Sequence, residues 1–119
     1  MATVTPLIPL NAFRSVTQKL TTSSTLIYTA PNTVSAILLS ATCANYSGSV
    51  VSVTLIIEKP TLPTASQFYL IPDIEIPSKD VLSGIAGRLV LEEKDKLYAY
   101  ASANNSVDLV LSINEAANE

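Results

Sequence analysis

Few side chains in this sequence could carry out a reaction. It has no histidine, so the commonest general base and the commonest metal ligand are both missing. Neither a Ser-His-Asp triad nor a Cys-His pair can be assembled. Carboxylates remain: Asp73 with Glu75, and the run Glu92, Glu93 and Asp95. Asp73 and Glu75 are two apart on a predicted strand and so share a face. A glycosidase needs two carboxylates across a cleft, one of them in an apolar setting. Charges solvated at strand edges, where they discourage aggregation, are the commoner use and the expected one here. The acidic run does not follow a calcium-loop pattern. No catalytic residue, cofactor site or metal site is therefore expected.

Other reactive or sticky residues point the same way. Cys43 is the one cysteine and sits in an apolar run, as a small buried hydrophobe would. Asn45-Tyr46-Ser47 and Asn104-Asn105-Ser106 match the glycosylation pattern but follow no secretory signal, so both are read as chance. Gly84-Ile85-Ala86-Gly87 has the GxxG spacing of some nucleic-acid loops without their basic helical context. The net charge is −3 and the seven lysines and arginines are scattered, which argues against nucleic acid as a partner. Tyr98 and Tyr100 share one face of a predicted strand. They either cover a second apolar layer or meet a partner, and we take them as candidate subunit-interface residues. The absence of tryptophan weakens a sugar-binding reading.

The elements that must position these residues are strands. Val107, Leu109, Leu111 and Ile113 alternate with Asp108, Val110, Ser112 and Asn114, a period of two that no helix shares. Leu97, Ala99 and Ala101 alternate in the same way with Lys96, Tyr98 and Tyr100. Leu89 and Leu91 share a face, and the polar run from Glu92 to Lys96 reverses the chain. Val51, Val53, Leu55 and Ile57 form the clearest strand of the first half, expected to pair as a hairpin with Val34–Ala44. In that partner, Ile37, Leu39, Ala41 and Cys43 read as one face and Leu38 as the other. Phe13–Leu20, Leu26–Ala30 and Phe68–Ile76 complete the set, the last at an edge or bulge because of Pro72. Val81–Gly87 reads as a bent connector. About eight strands without a helix predict an all-β protein: a single antiparallel β-sandwich of jelly-roll or immunoglobulin-like topology.

The 119 residues make one domain able to bury a core without disulfides. Hydrophobic residues are 48% of the chain and charged residues only 14%, where about a quarter is usual. So little charge suggests a surface partly covered by another chain, in a homo-oligomer or larger assembly. The expected organisation is an extended N-terminal arm over residues 1–12, a sandwich over 13–114 and a polar tail over 115–119. In the arm, Pro6 and Pro9 remove ladder donors while Leu7, Ile8 and Leu10 still favour burial. The arm either lies over the domain's own core or docks on a neighbour, which makes Pro6 through Leu10 candidate interface residues. Without a basic n-region it does not read as a signal peptide. No stretch is apolar for the roughly 18 residues that a membrane span needs.

Two blocks resemble small structural proteins of tailed-bacteriophage virions. One is Leu26–Glu58, opening on Tyr28-Thr29-Ala30-Pro31. The other is Tyr69–Ile113, with Ile76-Pro77 and Leu89-Val90-Leu91-Glu92. Where such proteins have a Gly-Asp reversal, this chain has Lys94-Asp95. The resemblance implies a non-enzymatic β-sandwich built into a repeated assembly. It would be a capsid decoration or cement protein, or else a tail or neck accessory protein. Its partners would be copies of itself and the major capsid protein or tail proteins. It would be made in the host cytoplasm and located in the virion. A sugar-binding adhesion module is the alternative of another class.

Overall fold

The computed structural model describes residues 11–64, 66–84 and 88–117. Among them run nine strands: β1 (Asn11–Lys19), β2 (Thr25–Thr29), β3 (Val34–Asn45), β4 (Val51–Lys59), β5 (Ser66–Ile76), β6 (Val81–Ser83), β7 (Leu89–Leu91), β8 (Lys96–Ala101) and β9 (Val107–Ala117). They form two antiparallel sheets. One runs β1-β9-β3, with β6 and β7 both lying along the far side of β3; the other runs β2-β8-β4-β5. The first strand pairs with the last, the second with the second last, the third with β6 and β7, and the fourth with the fifth. This nested winding is a jelly roll, with β6 and β7 sharing one lane. It decides between the two topologies that the sequence left open.

The alternating residues make the core. Val107, Leu109, Leu111 and Ile113 point inward from β9, and Val53, Leu55, Leu97, Ala99 and Ala101 face them from the other sheet, each 2% exposed or less. Pro72 lies in an edge strand beside a bulge, as expected, and Asp73 next to it takes φ 51°. Strands begin and end slightly outside the expected domain limits: β1 starts at Asn11 and β9 continues to Ala117.

Three expectations are corrected. β3 and β4 are not a hairpin. They lie in opposite sheets, and each buries its apolar side against the other across the core. The faces of β3 are also different. Ala36 and Leu38 are buried together, then Ala41 and Cys43, while Ile37 and Leu39 are half-buried. A register shift between Leu38 and Ser40 leaves Leu39 without a partner and turns the strand over. Finally, Val81–Ser83 is a strand pairing with Thr42–Ala44 and not a connector. It leads into Gly84, whose N–H donates to Ala41 O at 2.9 Å. A Cβ on Gly84 would lie 2.2 Å from the buried Ile71 side chain, which would have to shift to admit any other residue there.

Candidate assembly surfaces

Tyr98 and Tyr100 lie on the outer face of the four-stranded sheet and are half-buried. Tyr98 is paired with Leu26 on β2 and Ile56 on β4, and Ile56 is paired with Tyr69 on β5. One apolar row thus crosses all four strands on the solvent side. Its flanks are open, Leu26 being 47% and Tyr69 60% exposed, yet Ile56 at its centre is 5% exposed. Tyr100 lies beside Thr54, which is likewise buried although it faces outward. One register step beyond Ile56 and Tyr98 on the same face, Glu58 pairs with Lys96. The tyrosines therefore lie along a continuous surface.

The outer face of the five-stranded sheet is built differently. Phe13, Asn114, Ile37 and Val90 form a row by register, and Phe13 is 76% exposed. Below it come Ser15 with Ser112, and Thr17 with Val110 and Thr42. Its apolar side chains are separated by hydroxyls. Two grooves of about 240 and 270 Å³ run along β1 and β9, smaller than the roughly 300–1,000 Å³ typical of small-molecule sites.

The acidic residues divide. Asp73, Glu75, Glu92 and Glu93 are exposed, as the sequence suggested. Asp95 is instead fully buried, which corrects its reading as a solvated charge. Its Oδ2 accepts from Lys59 Nζ at 2.6 Å and from the Glu92 N–H at 2.9 Å. Its backbone carbonyl accepts from the Ala30 N–H at 2.8 Å. The hydrogen bond to Asp95 holds the Lys59 ammonium above its ordinary pKa. Asp95 thus ties the ends of β2 and β4 to the turn before β8. Lys94 adopts φ 71° there, the left-handed conformation for which glycine is suited. Glu93 accepts from the N–H of Thr33, itself at φ 61°. The Glu-x-x-Asp spacing was visible in the sequence, but its distant partner Lys59 was not.

A second polar tie crosses the sandwich. The Tyr28 hydroxyl donates to Glu115 Oε2, which also accepts from Arg14 Nη1 at 3.1 Å. Burial first, and Glu115 second, push the Tyr28 phenol well above its usual pKa. Cys43 is 1% exposed, and burial pushes its thiol up to about 11. Asn45 is buried, its amide donating to Ser49, Ile76 and Pro77 carbonyls, so it is structural. These groups hold the fold together; Arg14 alone of them lines one of the two grooves. The candidate arm residues Pro6, Leu7, Ile8, Pro9 and Leu10 lie outside the described residues.

No protein-family model matches the chain, and no curated protein matches it. A solved structure described as "Bacillus endospore appendages form a novel family of disulfide-linked pili" is similar at a TM-score of 0.55, with 11% identity over 92% of this chain and 88% of that chain. At that identity the likeness shows a shared fold: the two chains are wound alike over nearly their whole length.

Proposed function

We propose that this chain is a non-enzymatic building block of a repeated protein assembly. The observation that carries the reading is the apolar row Leu26, Tyr98, Ile56 and Tyr69 across the solvent side of a sheet, on a chain with 14% charged residues. The resemblance to phage structural proteins favours a virion, with the chain on the shell as a decoration or cement protein and tail or neck as the other location. The pilus fold favours a second reading, a subunit of a surface appendage. The disulfides named for that pilus have no counterpart at Cys43, which is enclosed and holds its proton. An adhesion module is less favoured, because Tyr98 and Tyr100 are half-buried along the sheet.

Quantitative mass spectrometry of purified particles tests the location. A copy number matching the capsid lattice supports decoration, and a small multiple of three or six supports the tail. Filaments formed by the purified chain, with none in particles, support the appendage. A monomer found in neither overturns the assembly reading. The N-terminal arm, with Pro6 through Leu10, is proposed to dock on a neighbour. Deleting residues 1–10 should keep the folded circular-dichroism spectrum and weaken assembly; a lost spectrum would place the arm in the domain's own core.

A further inference from the structure

We propose that the outer face of the four-stranded sheet pairs face to face with the same face of a second copy. This deepens the assembly reading and rests on it. The argument is one of self-complementarity. The sheet order β2-β8-β4-β5 has an even number of strands, so a line parallel to the strands can run midway between β8 and β4. A half-turn about that line lays β4 of one copy over β8 of the other and keeps each residue row at its own height.

The register then decides what meets what. Tyr98 meets the partner's Ile56, since the two occupy one row. Leu26 meets the partner's Tyr69 at the flanks of that row. One step along, Lys96 meets the partner's Glu58, and the same contact is repeated with the copies exchanged. In these rows apolar groups therefore face apolar groups, and Lys96 and Glu58 each face a charge of opposite sign. Such an interface is isologous and closes at two copies. The five-stranded sheet fails the same operation: between β9 and β3 it would set Asn114 against the partner's Ile37 and Asp108 against the partner's Ala44.

The size of the face sets the strength. Four strands about 4.8 Å apart, crossed by the nine residues of β4 at about 3.3 Å each, give a footprint of roughly 570 Å² per copy. That is below the ~800 Å² per partner of a standard interface, so the pair is weak and reversible. Reversible pairing is useful where many contacts act together. Sheets that pack face to face cross at about 30°, which keeps the central rows in register.

Charge reversal provides the test. Sedimentation of the full chain over a concentration series should show a reversible dimer. Lys96→Glu and Glu58→Lys should each raise its dissociation constant at least tenfold while keeping the folded spectrum. An equimolar mixture of the two variants should restore the native constant through a mixed dimer, because every facing pair is then opposite in sign. Tyr69→Lys, at an exposed edge position, should weaken the dimer independently. A native chain that stays monomeric, folded single variants that dimerise as the native chain does, or a mixture that fails to recover would each overturn the pairing. The two ideas fail separately. Lys96→Glu entering particles or filaments at the native copy number removes the pairing and leaves the assembly. A native dimer absent from every particle and filament removes the assembly and leaves the pairing.

Discussion

The five-stranded and four-stranded sheets share one core but present different surfaces to water. Inside, both offer close-packed aliphatic side chains. Outside, the five-stranded sheet alternates hydroxyls with isolated apolar groups such as Phe13 and Val110. The four-stranded sheet instead carries a continuous row in which Tyr98 and Tyr69 flank Ile56, buried on the side away from the core. Aromatic rings on a strand cover the smaller residue between them, so the sheet starts a second apolar layer on which none of the described residues is laid. Burial alone does not mark the core of a sandwich; the face on which a residue is buried matters as much.

The largest expected effects test whether the insides are equivalent. Leu109→Ala on the five-stranded sheet and Leu55→Ala on the four-stranded sheet should each cost about 2–5 kcal/mol in chemical denaturation. A loss below about 0.5 kcal/mol at Leu109 would mean that the faces of β9 are reversed. The ion pairs come next. Lys59→Met strands Asp95 without its partner, which should cost about 3 kcal/mol, the low end for a buried pair because the Lys59 side chain is 26% exposed. Lys19, paired with Asp108 on the five-stranded sheet, is 74% exposed, and Lys19→Met should leave the unfolding midpoint where it is. Outer faces give the sharper contrast. Ile56→Ala should cost about 2 kcal/mol, and Val110→Ala under about 0.5 kcal/mol. Equal losses would erase the distinction between the surfaces.

The last expectation has no effect at neutral pH. Cys43, Tyr28 and Lys59 all hold their protons more tightly than usual in the folded chain. The unfolded chain gives up these protons at lower pH, so stability falls as pH rises. Thermal midpoints should be flat through neutrality and decline above about pH 8.5, where an unfolded cysteine begins to ionise. Cys43→Val should remove the earliest part of the decline and Tyr28→Phe a later part. A midpoint unchanged to pH 11 would contradict both assignments.

Much of this architecture was legible in the residues. The period of two in β4, β8 and β9 gave strand identity and inward faces, because burial on one side of a pleat leaves a mark that short windows carry. The bulge at Leu39 left no such mark: one extra residue inverts a face without changing composition, so Leu38 read as lying on the face opposite Ala41 and Cys43. Pairing across the chain was equally hidden. Val34–Ala44 and Val51–Ile57 have the alternation of a hairpin, and only the closed sandwich shows that their apolar sides face each other. Tyr98 and Tyr100 could be placed on one face because their neighbours alternate. Leu26 was missed, and Tyr69 could not be joined to Tyr98, because the row they complete depends on register between four strands. Asp95 looked like surface charge because Lys59 is far away in sequence.

The winding has a consequence for the birth of the molecule. Residue 11 lies beside residue 116, and β9 is inserted between β1 and β3. While the chain is being synthesised, the first and third strands must therefore wait, unpaired on that side, until the last strand leaves the ribosome. Contacts this distant make closure slow and leave sticky intermediates exposed meanwhile. A chain stopped after residue 106 would lack the strand that joins the other two, and should collect as aggregate however sound its remaining sequence is.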